Sequence, residues 1–121
     1  MKRMILFAAA LCLLTASCAT VETVTETAAE TVVETSTGML MVQGACGMCK
    51  TRIEEAALNV NGVARAEWSL ETKELALQFD PGKTSLDAIS EVLAEVGHDT
   101  DMHKTDDMVY ADLPECCKYR E

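Results

Sequence analysis

Two thiols stand three residues apart in Gly44-Ala45-Cys46-Gly47-Met48-Cys49. They follow the short apolar run Met39-Leu40-Met41-Val42 and precede an amphipathic helical pattern. Cysteines at the mouth of a helix close either on one soft metal ion or on each other. The thiolate is the ligand, and the helix start places Cys49 where unpaired N–H groups and the helix dipole favour negative charge. Soft sulfur selects Cu(I), Zn(II) or Hg(II) over hard cations. Two sulfurs make a linear site, or a trigonal one with a further ligand, which suits Cu(I) and Hg(II), whereas Zn(II) generally takes four ligands. A plain disulfide is the competing outcome in an oxidising compartment. A thioredoxin-type redox pair is the third outcome, although no aromatic precedes the pair and no proline separates the cysteines.

A second thiol pair lies near the C-terminus, in Leu113-Pro114-Glu115-Cys116-Cys117-Lys118-Tyr119. Adjacent cysteines rarely bond well to each other. They either pair elsewhere, stay spare in a tail, or fold back as additional ligands for Cys46 and Cys49. Twelve residues, 104–115, separate this pair from the preceding segment and span at most roughly 40 Å, against a diameter of about 30 Å for so small a domain. The reach suffices, and Val109, Tyr110 and Leu113 give the tail apolar residues with which to pack. His98 and His103 are further candidate ligands, with His98 the better placed. Met102 and Met108 read as packing residues, and Trp68 as sheet packing.

The elements that must position these groups follow from periodicity. Met39–Gln43 reads as a short strand, and Met48–Val60 as a helix with Ile53, Ala56, Ala57 and Val60 on one face. Asn61-Gly62 stops the helix. Val63–Leu70 alternates, with Ala64, Ala66, Trp68 and Leu70 on one side. Lys73–Phe79 places Leu75, Leu77 and Phe79 on one face. Thr84 or Ser85 caps a second helix with the stripe Leu86, Ile89, Leu93 and Val96, and Gly97 ends it. A short last strand begins at or just after His98. The order βαββαβ is the ferredoxin-like split βαβ arrangement, an α+β fold with two helices on one face of an antiparallel sheet.

This order, together with Cys46-x-x-Cys49 in the first strand-to-helix loop, the Asn61-Gly62-Val63 turn and the late Gly97, resembles the heavy-metal-associated domain. That family includes copper chaperones, modules of copper-transporting ATPases and a mercury scavenger. The resemblance covers residues 39–103, roughly half the chain. It implies that Cys46 and Cys49 are the metal ligands, that Cu(I) is the foremost cargo with Zn(II) or Hg(II) as alternatives, and that a metal-transporting or metal-accepting protein is the partner. The family motif carries Met two residues before its first Cys, where this chain has Gly44. Met41 or Met48 is therefore expected to pack beneath the loop instead. The family also sets an aromatic or lysine near the metal after the second helix, and Gly97-His98-Asp99 occupies that position.

The ends speak to location. Lys2 and Arg3 precede an apolar run, Met4–Leu14, too short to span a bilayer and suited to a secretory signal. Leu14-Thr15-Ala16-Ser17-Cys18 resembles a bacterial lipoprotein lipobox, with Cys18 lipidated and residues 1–17 removed. Cys12 is then discarded. Residues 18–38 form a tether with a Glu-Thr repeat, glutamates falling at 22, 26, 30 and 34. As a helix these would stack and repel; as a coil they span roughly 25 Å. Residues 104–121 form the Cys-Cys extension. With Lys2 and Arg3 gone, 20 acidic side chains face 8 basic ones, a net charge of −10 becoming about −12. This charge argues against nucleic acid. Nothing resembles catalytic apparatus. The expected protein is an envelope-tethered, periplasm-facing or outer-membrane soft-metal binder, not an enzyme, with a thiol–disulfide oxidoreductase as the alternative.

Overall fold

The computed structural model describes residues 34–121, which fall in one compact unit. The signal segment, Cys18 and most of the Glu-Thr repeat lie outside the described residues. Strand β1 (Ser36–Met41) is followed by helix α1 (Gly47–Leu58), strands β2 (Val63–Trp68) and β3 (Glu74–Phe79), helix α2 (Leu86–Glu95), a short helix α3 (Asp107–Ala111) and a 3₁₀ turn at Glu115–Cys117. The strands form an antiparallel sheet in the order β1-β3-β2. Among the described residues no helix is long and apolar enough to cross a membrane.

Alternation builds the core as the pattern requires. Leu40 pairs with Leu75, and Trp68 pairs with Leu75 from the other side. These residues, with Leu77 and Phe79, bury against Ile53 and Ala57 of α1 and Ile89 and Leu93 of α2. Each such aliphatic side chain contributes about 1.5–3 kcal/mol on burial. Ser85 caps α2 by accepting the Ala88 N–H at 3.2 Å.

Four features depart from the expected pattern. β1 starts at Ser36, ahead of the expected boundary at 39. The register of β2 against β3 shifts between Val63 and Arg65. This turns Ala64 outwards, and Leu70 is exposed beyond the end of the strand. The expected last strand is reduced to one antiparallel bridge, Val42 to Thr100. Its chain turns at once because the Thr100 hydroxyl accepts the N–H groups of Met102 and His103, and the Thr100 N–H bonds the His103 carbonyl at 2.7 Å. Finally, residues 104–121 are not an appendage: Leu113 and Cys117 belong to the buried core.

Gly97 joins that tail to the body. It closes α2 with φ 102°, and the His98 N–H returns to the Leu93 carbonyl while the Gly97 N–H returns to Ala94, a Schellman stop. A Cβ on Gly97 would lie 2.7 Å from a methyl of Leu113. The glycine therefore serves both the left-handed turn and the seat of the tail.

Candidate metal centre

The loop carrying Cys46 and Cys49 is braced from below by Trp68. The indole Nε1 donates to the Val42 carbonyl at 3.0 Å. Lys73 Nζ donates to the Gly44 carbonyl at 2.8 Å and sits 5.5 Å from the Trp68 ring. A Cβ at Gly44 would come within 2.9 Å of the indole and 3.0 Å of Cys49 Cβ. A methionine there has no room, because the tryptophan fills the space. Neither Met41 nor Met48 packs beneath the loop: they are 39% and 56% exposed. That expectation fails because Trp68, with Cys117 from the tail, completes the packing there.

Cys46 is the N-cap residue of α1, in extended conformation, and Cys49 stands in the first turn. The Cys49 N–H lies beside the Cys46 sulfur, too loosely for a regular capping hydrogen bond. This N–H is nonetheless the main cause that lowers the Cys46 thiol to about 7, against the opposing effect of burial and with help from the neighbouring thiols. Cys49 is buried and its sulfur accepts the Ala45 N–H at 3.4 Å.

The tail brings its thiols to the same place. The Sγ atoms of Cys46 and Cys49 are 3.6 Å apart, those of Cys46 and Cys117 are 3.7 Å apart, and those of Cys116 and Cys117 are 4.0 Å apart. Cys46, Cys116 and Cys117 all place sulfur within 4.8 Å of one another. All four cysteines are free thiols. Cys117 is fully buried, and burial pushes its thiol upwards, reinforced by the adjacent sulfurs. Cys116 is exposed, and its thiol donates to Met48 Sδ at 3.5 Å.

What holds the tail was not visible in the thiol spacing. The Tyr119 hydroxyl donates to the Gly97 carbonyl at 2.8 Å and accepts the Asp99 N–H at 2.7 Å. Arg120 grips Asp99 at 2.7 and 3.0 Å and Asp107 at 2.8 Å, and its guanidinium lies over the Tyr110 ring at 4.4 Å. Burial pushes Asp99 up, but the bonds from Arg120 and the Thr105 N–H outweigh it and hold the carboxyl below its ordinary value. An aromatic and an arginine just after a Cys-Cys pair, in a chain with so few basic residues, were the available signal.

The histidines take other roles. His98 is fully buried, its Nδ1–H donating to the Gln43 carbonyl at 2.8 Å while its ring stacks on Tyr119. Its Nε2 has no hydrogen-bond partner. Burial pushes this imidazole below its ordinary value, and the bond to Gln43 only partly offsets that. His98 thus braces the strand leading into the loop and is absent from the thiol trio. His103 pairs with Asp87 at 2.9 Å. Met102 and Met108 are exposed, not packed.

The heavy-metal-associated domain model matches residues 39–99, and the chain belongs to that family of metal-binding domains, with Cys46-x-x-Cys49 as its metal-binding motif. The copper chaperone CopZ of Staphylococcus aureus (strain bovine RF122 / ET3-1) is 34% identical over 62 residues, covering 50% of this chain and 91% of the relative. Oxidised MerP from Ralstonia metallidurans CH34 superimposes with a TM-score of 0.53 at 29% identity, over 55% of this chain and 94% of that one. A copper binding domain from HMA7, a P-type ATPase, gives 0.52 at 29% identity, over 54% and 89%. The family match ends at residue 99, so Cys116, Cys117 and their fasteners lie outside it.

Proposed function

We propose that the protein captures Cu(I) at Cys46 and Cys49, with Cys117 and Cys116 as further ligands, and buffers it or passes it to a metal-accepting partner. The observation that carries this reading is the convergence of the tail thiols on Cys46. Metal–sulfur bonds of about 2.3 Å put the sulfurs of a linear site about 4.6 Å apart, and those of a trigonal or tetrahedral site about 3.8–4.0 Å apart. The neighbouring separations of 3.6, 3.7 and 4.0 Å lie nearer the closed spacing than the linear one. A site with three or more sulfurs exchanges ligands more slowly than an open pair, which favours holding the ion over rapid transfer. The copper chaperone and copper-binding domain among the similar proteins support Cu(I) as the cargo and a P-type ATPase domain of the same fold as one kind of acceptor. Lipidation at Cys18 would tether this activity to the bacterial envelope.

Anaerobic titration of the reduced protein with Cu(I), Zn(II) and Hg(II) against a competing chelator tests the reading. Cys46→Ser with Cys49→Ser should abolish tight Cu(I) binding, and truncation after Tyr110 should weaken it. Undiminished competition by the double variant would refute the site, and a preference for Zn(II) or Hg(II) would reassign the cargo. Mass spectrometry of the N-terminus tests the anchor: an unlipidated Cys18 in membrane fractions would remove it.

A further inference from the structure

We propose a second, outer Cu(I) subsite formed by the Met48 thioether and the Cys116 thiol, sharing Cys46 as a bridging thiolate with the inner site. It rests on the metal-binding reading of Cys46 and Cys49 and extends it from one ion to two.

Position within the cluster comes first. Cys46 has Cys49 at 3.6 Å on one side and Cys117 at 3.7 Å, with Cys116 also inside the group whose sulfurs lie within 4.8 Å. A thiolate keeps lone pairs after binding one metal, so a sulfur flanked in this way can serve two ions. Cys49 and Cys117 are buried, whereas Cys116 and Met48 are exposed. The sulfurs therefore run from solvent to interior, and one ion cannot use the most exposed and the most buried donors equally well.

Met48 supplies the second part of the argument. Its thioether lies 3.5 Å from the Cys116 sulfur, close to the spacing of about 4 Å for two sulfurs on one three-coordinate metal. Met48 is 56% exposed, so apolar burial does not account for its placement against a thiol. A thioether is soft and neutral. It binds Cu(I) without losing a proton and cannot enter a disulfide, which suits the solvent-facing donor of an entry site. Zn(II), with its demand for four ligands and its affinity for thiolates, gains little from it. On binding, the Cys116 thiol releases its proton to water, as Cys46 does when the first ion binds. The ion passes inward by exchange, Cys117 or Cys49 giving its proton to water as its thiolate replaces the Met48 sulfur, with copper remaining Cu(I) throughout.

The test uses the full chain in detergent micelles, with Cys12→Ser and Cys18→Ser to remove the thiols outside this cluster, and methionine labelled with carbon-13 at the methyl group. Cu(I) is added anaerobically. The expected result is two ions per chain, with the Met48 methyl resonance, assigned by its loss in Met48→Leu, shifting on the second equivalent and not the first. Met48→Leu should reduce the stoichiometry to one ion while leaving the tighter ion in place, whereas Cys116→Ser should lose the second ion and weaken the first as well. Both positions are exposed, so folding survives either change. An unmoved Met48 resonance, or two ions still bound by Met48→Leu, would overturn the outer subsite. Full binding by Cys49→Ser would instead overturn the inner site on which it rests.

Discussion

Cys46, like Cys117, has the other three thiols of the cluster as neighbours, but it differs from Cys117 in having a helix-end N–H beside its sulfur. It is the one lowered to about 7, mainly by that N–H, while burial drives Cys117 the other way. In the reduced, metal-free protein, alkylation by iodoacetamide should therefore mark Cys46 well before Cys117, and the Cys46 rate should rise to half its plateau near pH 7. Peptide mass spectrometry over a pH series reads both, and equal labelling of Cys117 would contradict the buried assignment. The motif pair was legible because a Cys-x-x-Cys before a helical pattern has few uses. The Met48 contact was not, because its partner Cys116 is 68 residues away in sequence and spacing reports nothing about such a return.

At the level of elements, the strands and helices followed from alternation and from 3.6-residue periodicity, since burial on one face leaves that trace. The last strand did not, because Thr100 has the composition of a strand residue yet its hydroxyl collects a turn. The seating of the tail was equally hidden, being made by Leu113 on Gly97 and by Tyr119 on the loop after α2. Two substitutions probe that seat. Tyr119→Phe leaves the Gly97 carbonyl and the Asp99 N–H without their partner and should cost about 1–3 kcal/mol. Gly97→Ala imposes a left-handed residue worth about 1–2 kcal/mol and also collides with Leu113, so its cost should exceed that range. Urea unfolding measures both. Each should also raise the alkylation rate of Cys117, and a variant that is destabilised with Cys117 still protected would show that the tail is held elsewhere.

On the scale of the whole molecule, stability should depend on pH through His98. The folded state keeps this imidazole neutral by burial, with Arg52 pushing in the same direction and Gln43 and Asp99 opposing. The unfolded chain binds the proton first as pH falls, so this contribution is complete above about 6.5, the ordinary imidazole value, and is lost progressively below it. The urea midpoint of the metal-free protein should drop from pH 7.5 to pH 5.5, and His98→Gln should flatten that slope; an unchanged slope would discount the histidine. A different consequence follows from the distance along the chain between Cys46 and Cys117, which stand 71 positions apart with sulfurs 3.7 Å from each other. Any bond that joins them, through metal or through oxidation, ties most of the domain into a ring. Chain-entropy arguments value such a closure at about 4 kcal/mol. Loading the site would thereby also knot the fold shut, and a protease or translocase pulling on either end would meet a circle where the empty protein offers a thread.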